Sequence, residues 1–268
     1  MMQVCLNGAR GAGDGAVVPL SPGALAESAA EAVAAGASDV HVHIKSPCGQ
    51  DTWSARAVAA TVVEIRSRVC VPVGVAGGSW ADPAPAARLE RVRSWEVLPD
   101  HASVNWHEPG AEEIAAALLE RGIGVEACIR SGTDAAERFT ASPLAPHVLR
   151  VRAEVTDPSA DTAEGSARAL LAELGGALPQ ALGSARAGRD PHRPVLLHGA
   201  EGGAWPVLRL AGRLGLATRT GLADTLVLPD GERAVSNARL VAEGLAQYRR
   251  SLRSGQGSAS APARVARP

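Results

Sequence analysis

Two histidines separated by one residue, His41 and His43, are the strongest chemical signal in this sequence. They lie in Asp39-Val40-His41-Val42-His43-Ile44-Lys45, where polar and apolar residues alternate. Folded as a strand, the segment puts His41, His43 and Lys45 on one face and Val40, Val42 and Ile44 on the other, because strand side chains have period 2. Two imidazoles on one face can share a divalent metal ion and leave coordination positions open. A lone inward His would read as a hydrogen-bonded core filler; a pair beside other polar strand ends favours a metal.

A second constellation is Arg219 and Asp224, five residues apart. A guanidinium can clamp a carboxylate through two hydrogen bonds. The pair suits either a stabilising salt bridge or a positioned general base. Glu126, flanked by Val125 and Ala127, suits substrate positioning, base catalysis, or an ion pair with Lys45 or an arginine. Other polar residues fall at the ends of expected strands: Asn7, Ser79, Ser103, Asn105, Arg152, Glu154 and His198, with Arg10 in the loop after the first strand. Cys48 is a conceivable further ligand, although a loop cysteine is more often structural. Cys5 and Cys128 are expected to pack as small hydrophobes.

These residues need elements to carry them. Gln3 to Asn7 reads as a strand, followed by a glycine-rich loop from Gly8 to Gly15. Ser21 caps a helix with Pro22 at its first position, a favoured pairing, and that helix ends near Gly36. After the histidine strand the pattern repeats. Helices are expected at 52–68, 85–95, 110–121, 133–139, 161–174, 204–214 and 235–250. Strands are expected at 71–76, 101–105, 124–128, 147–154, 194–198 and 217–221, with an irregular segment reaching Arg193. Such alternation argues for a parallel sheet with crossover helices, and eight units in 268 residues argue for a closed (β/α)8 TIM barrel. The rival, an open doubly wound sheet, lacks its dinucleotide fingerprint, because Gly8, Gly11, Gly13 and Gly15 are wrongly spaced. Residues 1–250 are read as one barrel domain and 251–268 as a disordered tail. In barrels the active site lies at the C-terminal ends of the strands, where most of these polar residues fall.

The composition narrows the function classes. The formal net charge is −1, so no global field directs the chain to nucleic acid or to a membrane surface. Five Trp, one Tyr and one Phe offer little for stacking on bases. No segment reads as a signal peptide or membrane span. The four cysteines form no CxxC, which argues against a zinc knot or a disulfide framework and suits a reducing cytoplasm.

Taken together, these pieces resemble the β-keto acid cleavage enzymes, the family of 3-keto-5-aminohexanoate cleavage. The likeness rests on Cys5-Leu6-Asn7-Gly8-Ala9-Arg10, Pro19-Leu20-Ser21-Pro22 and the run from Ala34 through His43. It continues through Ser103-Val104-Asn105-Trp106, Gly124-Val125-Glu126-Ala127, Arg219-Thr220-Gly221-Leu222-Ala223-Asp224 and Asn237-Ala238-Arg239-Leu240-Val241. The resemblance implies a homotetrameric barrel with a catalytic divalent metal, generally Zn2+. It implies an acyltransferase reaction like a retro-Claisen condensation, in which a β-keto acid and acetyl-CoA give acetoacetate and a new CoA ester. It places the metal on His41 and His43 and activation on Arg219 and Asp224. It gives Glu126 a part in placing substrate, with Asn7, Arg10, Ser79, Ser103 and Asn105 in the substrate shell.

The sequence also departs from the family. The strand-eight motif there reads Gly-Leu-Glu-Asp, and its Glu is the third metal ligand; here that position is Ala223. Gly15-Ala16 replaces the usual His-Pro, and Lys45-Ser46 the usual Arg-Asp. Three accounts follow. Asp224, Glu201, Glu126 or Cys48 substitutes as the third ligand; or related chemistry runs on a different substrate with a weaker metal; or the barrel has lost catalysis and serves as a binding or partner subunit.

Overall fold

The computed structural model describes residues 1–14, 17–79, 84–175 and 195–258. Gly15-Ala16, most of the irregular segment up to Arg193, Pro194 and tail residues 259–268 lie outside them. The strands are β1 (Met2–Cys5), β2 (Asp39–Val42), β3 (Val73–Val75), β4 (His101–Asn105), β5 (Gly124–Arg130), β6 (Arg150–Val155), β7 (Val195–Gly199) and β8 (Ala217–Thr220). The helices between and after them are α1 (Pro22–Ala34), α2 (Ala55–Arg66), α3 (Pro85–Ser94), α4 (Ala111–Glu120), α5 (Ala135–Ala141), α6 (Ala163–Gly175), α7 (Ala204–Leu214) and α8 (Asn237–Ser258). Every neighbouring pair of strands is parallel, and β8 pairs with β1, so the sheet closes into a TIM barrel.

Local signals in the sequence set several of these elements. Ser21 caps α1 by accepting a hydrogen bond from the Ala24 amide, and Pro22 occupies the first turn. Ser54 does the same for α2 through the Ala57 amide, so that helix starts later than the sequence pattern suggested. Strand β6 begins at Arg150, because Ala145–His147 forms a 3-10 turn. Helix α8 runs on to Ser258, past the expected end near Arg250, so the first part of the expected tail is helical.

The two faces of the strands have opposite characters. Val4, Val40, Val42, Val73, Val75, Val104, Val125, Ala127 and Ile129 belong to the buried apolar layer under the helices. The alternate residues meet across the barrel interior, and they are polar. Gln3 on β1, Asp39 on β2, His101 on β4, Glu126 on β5 and Arg150 on β6 are all buried. Arg150 Nη1 and Nη2 donate to the two Asp39 oxygens at 2.9 and 3.1 Å, and its Nε donates to Glu126 at 2.5 Å. Gln3 Nε2 donates to both Asp39 and Glu126. This floor stiffens the barrel beneath the residues above it.

Gly74 is required by the floor. A Cβ there would lie 1.8 Å from His101 Cε1, so the imidazole occupies the space a side chain would take. Gly74→Ala is expected to destabilise the fold by at least ~1–3 kcal/mol, the usual cost of overpacking. Urea denaturation reads this, and an unchanged midpoint would refute the packing argument.

Candidate metal and acid–base site

Above the floor, strand phase and register bring three potential ligands together. Cys5 pairs with His41 in the β1–β2 ladder, and His43 follows two residues on, just past the end of β2. One ligand atom from each of Cys5, His41 and His43 lies within 4.8 Å of the other two, and all three residues are buried. Neither ring nitrogen of His41 has a hydrogen-bond partner among the described residues, although the side chain is fully buried. Burial, only partly offset by Glu126, holds the His41 imidazole well below its usual value. A neutral imidazole with both nitrogens unsatisfied suits a metal ligand and is costly as a core filler. Asp51 Oδ1 stands 3.5 Å from His43 Nδ1 and 3.0 Å from Lys45 Nζ. A carboxylate behind a histidine is the usual device for orienting a ligating ring. These residues therefore fit a divalent metal.

Neither Asp224, Glu201, Glu126 nor Cys48 joins that group. Cys48 is exposed and its thiol lies 3.0 Å from Ser46 Oγ. Glu201 reaches outward to Arg10 Nη2 at 2.6 Å. Glu126 belongs to the floor, between Arg150 and Arg152. Cys5, expected from its strand to pack as a small hydrophobe, is the side chain beside the imidazoles. Its thiol is pushed up to about 12 by burial, with Arg219 opposing.

The second cluster lies at the ends of β7 and β8. Asp224 Oδ1 accepts from Arg219 Nη2 at 2.7 Å and Nε at 3.1 Å, and His198 Nδ1 stands 3.4 Å away. Asp224 Oδ2 is buried with no partner among the described residues, and so is Arg219 Nη1. Burial alone would raise the Asp224 carboxyl, but Arg219 and His198 outweigh it and hold it below the usual carboxylate range. One carboxylate oxygen is thus fixed by the guanidinium while the other stays open. That geometry suits a general base with an adjacent cationic donor.

The other residues singled out in the sequence lie on or just beyond β1, β3, β4, β5 and β6. Asn7 Nδ2 donates to the His43 carbonyl at 2.9 Å and its Oδ1 accepts from the His43 amide at 3.0 Å, so Asn7 locks the backbone at His43. Arg10 Nε donates to the Leu222 carbonyl at 2.6 Å, tying the first loop to the loop that carries Ala223. Ser103 Oγ accepts from the Gly77 amide. Asn105 Nδ2 donates to Glu108 Oε1 at 2.8 Å, while Glu108 Oε2 takes the Ser79 amide and Arg88 Nη1. The Glu108–Arg88 pair was not legible in the sequence, because only folding brings α3 against the loop after β4. Cys128 donates its thiol proton to Glu154 at 2.9 Å, beside Arg152.

No helix among the described residues is long and apolar enough to cross a membrane. No curated protein matches the chain in sequence. Solved structures share the barrel. ObcA in ternary complex with a C4-CoA adduct and oxalate superposes with a TM-score of 0.61 at 17% identity, covering 90% of this chain and 64% of that one. ObcA in binary complex with oxaloacetate gives 0.59 at 16% identity, with 90% and 64% covered. A chain of the Amycolatopsis orientalis BexX/CysO complex gives 0.51 at 16% identity, with 91% and 90% covered. The present chain thus spans less than two thirds of ObcA, and at these identities the likeness is one of fold. A family profile goes further: that of the beta-keto acid cleavage enzymes matches residues 1–160 and 164–256, which include the imidazole pair and the Arg219–Asp224 dyad. The chain belongs to the β-keto acid cleavage enzyme family.

Proposed function

We propose that this barrel cleaves a β-keto acid with acetyl-CoA, giving acetoacetate and a new CoA ester, with Zn2+ or another divalent ion held by His41 and His43. The observation that carries the reading is the Arg219–Asp224 dyad. It has one carboxylate oxygen fixed by the guanidinium and the other open. A bound divalent ion would polarise the keto oxygen as a Lewis acid and make the neighbouring methylene acidic. Asp224 Oδ2 removes a proton from that methylene, and Arg219 Nη1 donates to the developing negative oxygen. The resulting carbanion forms a C–C bond to the acetyl carbonyl and expels the CoA thiolate. The thiolate attacks the original keto carbon, the bond between that carbon and the methylene carbon breaks, and acetoacetate leaves as its enolate. That enolate recovers the proton from Asp224, so the base ends as it began.

Asn7 and Glu126 act as positioning residues, Asn7 through the His43 backbone and Glu126 through Arg150 and Arg152. Arg10, Ser79, Ser103 and Asn105 form the substrate wall, with Glu108 holding the Asn105 amide. A homotetramer is the assembly the resemblance supplies, and its mass in solution checks it. The direct test mixes the protein with acetyl-CoA and a panel of β-keto acids, with and without a chelator. Acetoacetate that appears with one substrate and vanishes on chelation is the expected result. Tight binding of a keto acid without turnover, at any metal loading, would instead make the chain a non-catalytic binder.

A further inference from the structure

We propose that Cys5 is the third protein ligand of the metal site, which makes it a cysteine–histidine–histidine centre built on β1 and β2 instead of reaching to the loop after β8. The proposal deepens the metal-dependent reading above and rests on it.

Three observations carry it. First, Cys5 stands beside His41 in the ladder and in phase with Gln3, so its side chain shares the interior with the imidazoles, and the three ligand atoms lie within 4.8 Å of one another. Ligand bonds of ~2.0–2.3 Å in a tetrahedral site set ligand atoms about 3.3–3.7 Å apart, so modest side-chain rotations close the set. Second, His41 is fully buried with both nitrogens unpartnered among the described residues, a strong sign that a ligand belongs there. Third, the amide of Ala223, the position where the resemblance expects a ligating Glu, donates to the Cys5 carbonyl at 3.3 Å. Cys5 and Ala223 therefore sit on backbone segments joined by a hydrogen bond. Ala223 lies against the first loop, since a Cβ on Gly8 would meet the Ala223 methyl at 2.8 Å.

Two imidazoles and a thiolate give three protein ligands and leave a fourth position open, the pattern of a catalytic site. Binding displaces the thiol proton to solvent, as for any cysteine ligand. Exchanging a carboxylate oxygen for sulfur also softens the site, so it favours zinc or cobalt over magnesium or manganese.

The experiment strips the 268-residue protein with a chelator, reloads it with Co2+ and records the near-ultraviolet spectrum, alongside zinc and cobalt content per chain. A thiolate-to-cobalt charge-transfer band at one cobalt per chain is expected. Cys5→Ser should abolish the band and weaken metal binding by at least the ~10–100-fold that even an outer partner of a ligand can cost. The double variant Cys5→Ser/Ala223→Glu should regain metal without the band, which separates loss of a ligand from loss of the fold. Cobalt bound at one per chain without a thiolate band, and kept by Cys5→Ser, would overturn the assignment and leave the metal reading intact. A wild-type chain that binds neither ion, beside an Ala223→Glu variant that does, would overturn the assignment too, because the site would then be decayed. A thiolate band without acetoacetate formation would support the ligand assignment while the cleavage reading fails.

Discussion

Asp224→Asn lowers kcat for acetoacetate formation by ~10²–10⁴-fold, the usual contribution of a positioned general base, while metal content stays at the wild-type level. Asparagine keeps an oxygen for Arg219 but cannot accept a proton on its other atom. The substitution also leaves Arg219 facing a neutral partner, so its thermal melt must be recorded beside the kinetics. A pH profile distinguishes chemistry from loosened structure. A general base works only when ionised, and Arg219 and His198 hold Asp224 below the usual carboxylate range. The acidic limb of the wild-type rate should therefore lie below the ordinary carboxylate range, with the rate falling as pH drops through it. In the variant that limb disappears. A variant that keeps both the acidic limb and a rate within ~10-fold of wild type would remove Asp224 from the role of base.

The barrel was legible because its evidence is local. Alternating apolar residues mark strands, and Ser21-Pro22 fixes the start of α1 by cap chemistry that needs no tertiary context. Boundaries were less so. β3 is confined to Val73–Val75, and α8 continues to Ser258, because ladder and helix-packing contacts decide where an element stops. The imidazole pair and the Arg219–Asp224 dyad were readable since each lies within a few residues. Cys5 was not, because one cysteine in an apolar strand looks like any small hydrophobe. What distinguishes it is the β1–β2 register, which sets it beside His41 and which no single segment encodes. Glu126 was readable as an inward carboxylate, but its partners Arg150 and Arg152 come from the neighbouring strand. Lys45, the other partner the sequence offered, pairs instead with Asp51.

The floor of the barrel provides the largest stability effect. Arg150 bridges two buried carboxylates at once, Asp39 at 2.9 and 3.1 Å and Glu126 at 2.5 Å. Arg150→Met removes the guanidinium that pairs with both, leaving Gln3 as a neutral donor to each and Arg152, 3.5 Å from Glu126, as the nearer remaining cation. Breaking a buried pair by deleting one partner costs ~3–5 kcal/mol, which in a barrel of this size lowers Tm by roughly 6–20 °C. Glu126→Gln should cost less, since Asp39 still faces Arg150 and Glu154 still faces Arg152 at 3.6 Å, leaving the charges balanced. The sign of the pH dependence follows from Glu126. Burial would raise its carboxyl, but Arg150 and then Arg152 outweigh burial and hold it well below the usual range. A depressed folded-state value stabilises the native protein above the unfolded value of ~4.3. That contribution is lost as pH falls through the folded value. In Arg150→Met the largest opposing charge is gone, the carboxyl rises toward what burial alone dictates, and protonation relieves the variant in acid. The stability gap between wild type and variant is thus widest near neutrality and narrows as pH falls towards ~4. Urea midpoints at a series of pH values measure it. A gap that is small at neutral pH, or that widens in acid, would mean that Arg150 does not hold the floor together.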